Sequence, residues 1–182
     1  MPVQARPAAP TFDDLLGLVL APLETDRPEL CQSIRDWLEV IRADPEDYGD
    51  ATHVFGAALQ DYPNEYPPGW WLDDTYSRWW LSICVDIKDS DQVQWQVQAM
   101  IKCLQLEEDF VSQIVVGACE VHEQLSEAAQ WFRSHGYELL CLDTQSSDFV
   151  VVPVRLELLR QACEILNHLG IRSFLYRLFL NF

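Results

Sequence analysis

Arg78-Trp-Trp-Leu-Ser-Ile-Cys-Val-Asp-Ile-Lys88, followed fifty residues later by Tyr137-Glu-Leu-Leu-Cys-Leu-Asp143 and Phe149-Val-Val-Val-Pro-Val154, decides the fold. In the first run the apolar period is two. Trp79, Leu81, Ile83, Val85 and Ile87 line one face, and Trp80, Ser82, Cys84 and Asp86 the other, which predicts a strand with one fully apolar face. The second and third runs read as two more strands. Thr144-Gln-Ser-Ser147 between them, with Asp148, suits a hairpin.

Outward from these strands the period is that of helices. Ser90 caps a helix carrying Val93, Val97, Met100, Ile101 and Leu104. Val121 to His135 reads as a helix, stopped by Gly136 in the position that favours left-handed backbone. Leu156 to Leu169 is another, closed by Gly170, and Ile171 to Phe182 is a final strand or docked tail. Residues 107–118 fit either a short strand through Ile114-Val-Val116 or the start of a helix. Upstream, Thr11-Phe-Asp-Asp14 resembles a capping box and opens a helix through Leu20. Asp26 caps a second helix with Pro28 in its first turn, and Leu30, Ile34, Trp37, Leu38 and Ile41 form its apolar stripe up to Asp44-Pro45. A third helix covers Ala51 to Gln60, and Tyr62-Pro-Asn-Glu-Tyr-Pro-Pro-Gly69 is a loop.

Helices and strands are mixed without strict alternation. The expectation is therefore an α+β fold: a small, mainly antiparallel sheet packed against helices, with a helical N-terminal third. Residues 1–10 read as a Pro/Ala-rich disordered arm, and residues 11–182 as one domain.

Composition narrows the function classes. With 49% hydrophobic and 12% aromatic residues the chain of 182 residues can build a core without staples. No apolar run approaches the roughly 18 residues needed to span a bilayer. The formal net charge of -17 and pI near 4.3 argue against direct nucleic-acid binding and against an anionic membrane, since both need a basic face. A basic protein partner is favoured instead. The charge is uneven: residues 151–182 hold four arginines (155, 160, 172, 177) against Glu157 and Glu164. Cysteines 31, 84, 103, 119, 141 and 163 show no C-x-x-C spacing, which points to reduced thiols and a cytoplasmic setting.

Four features are candidates for function. Asp44 to Tyr76 contains eight acids and no Lys or Arg, interleaved with Tyr48, Phe55, Tyr62, Tyr66, Trp70, Trp71 and Tyr76. Carboxylates steer a basic partner and aromatics anchor it at low entropy cost. The bland reading is that the tryptophans pin a long loop to the core. The hairpin Asp143-Thr-Gln-Ser-Ser-Asp148 brings two carboxylates and three hydroxyls to one tip, though Asp and Ser are also ordinary turn residues. Asp86 and Lys88 stand at a strand exit, as acid/base or ligand contacts or as a local ion pair. Cys119, His122 and Glu123 share a helix face, but a zinc site needs more ligands. There is no H-E-x-x-H, G-x-S-x-G, P-loop or G-x-G-x-x-G, so no metal and no cofactor is expected.

The run Trp79 to Asp89 with the helix after it resembles a bacterial family of unknown function whose strand ends in an Asp-aromatic-Lys triplet; Ile87 replaces the aromatic here. Leu140-Cys-Leu-Asp-Thr-Gln-Ser-Ser-Asp-Phe149 is similar to that family's Asp-Thr-x-Ser-Asp hairpin, with one extra serine. The resemblance covers residues 75–170 and implies no activity. The Asp-rich strand-turn-strand tip is similar, more loosely, to the SUKH-type immunity superfamily, which implies a small acidic protein that holds a basic toxin.

The leading expectation is a non-enzymatic, acidic bacterial binding domain, in its sharpest form an immunity or inhibitor protein. It would hold a basic partner through Tyr66, Trp70, Trp71, Asp73 and Asp74, with Asp143 and Asp148 next. The alternative is an enzyme or small-ligand protein with a carboxylate site of Asp86, Asp143 and Asp148, beside Lys88, meeting in one concave pocket. A third expectation is a homo-oligomer formed through residues 171–182.

Overall fold

The computed structural model describes residues 9–44, 49–62, 69–70, 78–106 and 120–175. The helices are α1 (Phe12–Leu20), α2 (Pro28–Ala43), α3 (Ala51–Ala58), α4 (Asp91–Cys103), α5 (Val121–Ser134) and α6 (Leu159–Leu169). The strands are β1 (Ile83–Asp86), β2 (Tyr137–Asp143), β3 (Asp148–Arg155) and β4 (Ser173–Leu175). They form one antiparallel sheet in the order β1-β3-β2-β4, so the fold is α+β, and the described elements of its N-terminal third are the three helices α1 to α3.

The local chemistry explains most boundaries. At α1 the Thr11 hydroxyl accepts from the Asp14 N–H, and the Asp14 carboxylate accepts from the Thr11 N–H, a reciprocal cap. At α2 the N-cap is Arg27 rather than Asp26, and no side chain caps it: Pro28 opens the helix and has no N–H to satisfy. Ser90 precedes α4 without a side-chain bond to it, contrary to expectation, because its backbone is already helical. Gly170 ends α6 with φ 74, which a side chain would oppose.

The long strand expected over residues 79–87 is cut short. Only Ile83–Asp86 join the sheet; before them, Trp80 forms an isolated bridge to Gln60, and the Leu81 N–H donates to the Leu59 carbonyl. The expected alternation holds only within β1: Trp79, Trp80, Leu81 and Ser82 are all buried, Trp79 donates to the Ala58 carbonyl of α3, Ser82 and Cys84 turn to α3 as well, and Ile87, expected on the apolar face, is 41% exposed. The outer edge of β1 is closed by a side chain: the Gln96 amide of α4 accepts from the Cys84 N–H (2.9 Å) and donates to the Cys84 carbonyl (3.0 Å). A buried glutamine thus supplies the hydrogen bonds a neighbouring strand would make.

The sheet is covered on both faces. Gly56 of α3 lies against Val150 and Cys84, and α1, joined to α3 by the Phe12–Phe55 ring contact, packs on the same side with α6. On the other face, α5 packs on β2 through the Phe132–Tyr137 ring contact and reaches β3 through His122 and Phe149, with α4 beside it. β4 pairs with β2, so the described part of the C-terminal segment belongs to the sheet; the rest of it, residues 176–182, lies outside the described residues, as do 1–8 of the arm and 107–119. Among the described residues no helix is long and apolar enough to cross a membrane, and the cysteines form no disulfide.

Candidate functional site

At one end of the sheet β1 finishes and β3 begins. Register sets Asp86 directly opposite Asp148. Directly opposed residues share a face, and like charges there repel. The hairpin answers with donors: the Ser147 hydroxyl bonds Asp86 Oδ2 at 2.8 Å and the Lys88 N–H bonds its Oδ1 at 2.9 Å. These two, the backbone N–H first, hold the Asp86 carboxyl below the usual carboxylate range. Ser146 donates to Asp148 Oδ2 at 3.3 Å.

His53 of α3 reaches the same point. Its Nδ1 lies 3.0 Å from Asp50 Oδ1 and its Nε2 3.6 Å from Asp148 Oδ2. Asp50 is also the N-cap of α3, accepting from the Thr52 and His53 N–H groups. Burial pushes the Asp50 carboxyl up, but the hydrogen bonds from His53 and Thr52 and the His53 charge together bring it below its ordinary value. Asp89 and Asp91 follow on the exposed turn into α4, so this end of the sheet is strongly acidic, with Lys88 and His53 as its nearest counterweights.

His53 also lines a groove of about 430 Å³ bounded by Trp37, Gln60, Asp61, Tyr62, Arg78 and Trp79, with Cys84 among its walls. Trp37 is 36% and Tyr62 51% exposed, and both offer ring surface to solvent. Behind Tyr62 stands a cluster of three tryptophans, Trp70, Trp80 and Trp95, with ring centroids 5.0 to 5.4 Å apart. Tyr62 meets Trp80 edge-on at 4.9 Å. The groove has a poor nucleophile: burial pushes the Cys84 thiol up to about 11, with the Ser82 hydroxyl pulling weakly the other way, so thiolate is scarce at neutral pH. Its chemistry favours binding: aromatic faces, the Gln60 amide, the Asp61 carboxylate and the His53 ring.

Several expected residues fall elsewhere. Asp143 sits opposite Phe149 and therefore on the sheet face away from Asp86 and Asp148. Arg172 pairs with its Oδ2 at 2.8 Å, and its Oδ1 accepts from the Gln145 N–H. The three carboxylates thus do not converge: a turn bond and an ion pair hold Asp143 apart. Lys88 is exposed on the turn beside Asp86. Trp70 is 6% exposed, its ring packed against Trp80 and Trp95. Tyr66, Trp71, Asp73 and Asp74 lie outside the described residues, as does Cys119. Among the described residues no group of three or more His, Cys, Asp and Glu side chains is placed to hold a metal. The residues missed from the sequence are Trp37, His53 and Gln60. Trp37 was assigned to the core stripe of α2, yet it precedes Leu38 by about 100° of helix rotation and so turns out of the stripe.

Comparison with known proteins adds the family and no activity. The family model for a domain of unknown function, DUF6630, matches residues 11–178, and the chain belongs to that family. No curated protein and no solved structure matches the chain.

Proposed function

We propose that this DUF6630 domain is a non-enzymatic binding module that holds a basic protein partner at the acidic end of its sheet, with the neighbouring aromatic groove taking the partner's flanking side chains. The observation that carries the reading is the cross-strand pair Asp86 and Asp148, set beside Asp50 and His53, the last of which also lines the groove. Opposed carboxylates repel in a sheet, and the serine hydroxyls and backbone N–H that meet them carry no charge. A partner's lysine or arginine would relieve that repulsion, and Trp37 and Tyr62 would supply contact area once it is seated. The net charge of -17 extends the attraction beyond contact distance.

An immunity or inhibitor role against a basic toxin, in the bacterial cytoplasm, is the sharpest form of this reading. The test is affinity capture from host lysate with the wild-type protein and the Asp50→Asn, Asp86→Asn, Asp148→Asn triple variant, at low and high salt. A basic protein retained by wild type at low salt, and lost both at high salt and with the variant, is the expected result. Equal retention by the variant overturns the site.

A further inference from the structure

Arg78 marks what the groove was shaped to hold. Its guanidinium carbon lies 4.6 Å from the Trp79 ring centroid, and its Nε is 3.3 Å from Asp61 Oδ2. The same carboxylate oxygen accepts from the Arg78 backbone N–H at 2.7 Å, so Asp61 stays in place whether or not the side chain does. An aromatic face and a carboxylate edge at right reach of each other make a guanidinium site: the planar fork stacks on one and hydrogen-bonds the other, which an ammonium cannot do equally. The chain fills this site with its own arginine, most of whose side chain faces solvent. Its side chain is 63% exposed, whereas Asp61 is 20% exposed. Exposed pairs of this kind contribute little and exchange readily. Gln60, Tyr62 and Trp37 continue the groove beyond it.

We propose that Asp61 and Trp79 form a guanidinium subsite in which Arg78 is a built-in, displaceable occupant, and that an arginine of the basic partner takes its place on binding. This deepens the proposed function and rests on it. Arg78 then acts as a plug: it keeps the aromatic wall and the carboxylate covered in the free protein, and it lets a competing guanidinium in while holding out ligands that bind the subsite less well. The partner's contact is selected as arginine over lysine because an ammonium would have to displace a better-fitting group of equal charge.

The experiment measures binding of an arginine-rich and a lysine-rich peptide of equal length and charge by isothermal titration calorimetry. The proteins are wild type, Arg78→Lys, Arg78→Gln and Asp61→Asn. Arg78→Lys keeps the net charge and weakens only the plug, so the arginine peptide tightens by roughly 2- to 5-fold, the scale of one exposed cation–π contact and ion pair. Arg78→Gln gives at least that gain, larger for the arginine peptide than for the lysine peptide. Asp61→Asn removes the preference for arginine. If Arg78→Lys leaves the arginine peptide unchanged, or if both peptides gain equally in Arg78→Gln, the subsite is overturned. Should that happen while both peptides still bind wild type in a salt-dependent manner, the basic-partner reading stands without it. If neither peptide binds any of the four proteins, both readings fall together.

Discussion

Replacing Gly56 by alanine tests the contact that sets α3, and with it His53, against the sheet. An ideal Cβ at Gly56 would lie 2.9 Å from Val150 Cγ1, 3.0 Å from Cys84 Sγ and 3.3 Å from Val150 Cγ2. Carbon atoms settle at about 3.5–4.0 Å, so α3 must retreat by several tenths of an ångström. The neighbours cannot absorb this. Val150 is 1% exposed and β-branched, hence stiff about its one side-chain torsion. Cys84 is fixed by Gln96 on its backbone and faces Ser82 at 3.6 Å. Overpacking of this sort costs about 1–3 kcal/mol. The better helix propensity of alanine returns up to about 1 kcal/mol. The expected net effect of Gly56→Ala is a destabilisation of about 1–2 kcal/mol. For a domain this size that lowers Tm by roughly 2–8 °C. Gly17, in α1, is the internal control: nothing lies within 4 Å of its Cβ position, so Gly17→Ala should stabilise by about 0.4–1 kcal/mol. Urea unfolding of both variants, read as a shift in midpoint at unchanged slope, checks the pair. Shifts of the same sign, or a Gly56→Ala protein as stable as wild type, would refute the close approach of α3 to β1 and β3.

Gln96→Leu removes both hydrogen bonds on the outer edge of β1 and strands the Cys84 N–H and carbonyl; a loss of about 2–4 kcal/mol in urea unfolding is expected, and a loss under about 1 kcal/mol would mean that water or another group replaces the amide. Ser147→Ala takes away one donor to Asp86, so the Asp86 carboxyl should titrate closer to its ordinary value in an NMR pH titration. The sign matters for acid stability: because the folded-state value is depressed, its contribution is present above the unfolded value of about 3.9 and is lost as pH falls through the folded one, and the variant should lose less on acidification. Cys84, with its thiol raised to about 11, should resist alkylation at neutral pH in the folded protein and react at the unfolded rate in urea; fast labelling under native conditions would contradict its setting.

The sheet was legible because its signals are local. Tyr137 to Asp143 and Phe149 to Val154 are short apolar runs on either side of a hairpin tip, and the helix boundaries at Thr11 and at Gly170 are each set by residues a few positions away. β1 begins only at Ile83 because a long-range contact intervened: Trp80 bridges to Gln60 and stays off the β3 ladder, which periodicity at residues 79–87 cannot register. The site was harder still. Its groove draws on residues 37, 53, 57, 60–62, 78–79 and 84, spread over the three elements α2, α3 and β1 and the stretches between them. His53 looked like one of several scattered histidines, and only folding sets it between Asp50 and Asp148. Asp86 and Asp148 were singled out from the sequence, yet Asp143, grouped with them, lies on the other face. Alternation within the hairpin places 143 opposite 149, a parity that depends on loop register.

The central claim is that the acidic sheet end steers and holds a basic partner. Its most direct test is the association rate constant of the captured partner, measured against ionic strength for wild type and for the Asp50→Asn, Asp86→Asn, Asp148→Asn variant. Steered association falls steeply with added salt, whereas dissociation changes less. The account predicts a steep salt dependence for wild type and a markedly flatter one, with slower association at low salt, for the variant. Rates that coincide at every ionic strength, or a wild-type rate indifferent to salt, would contradict it.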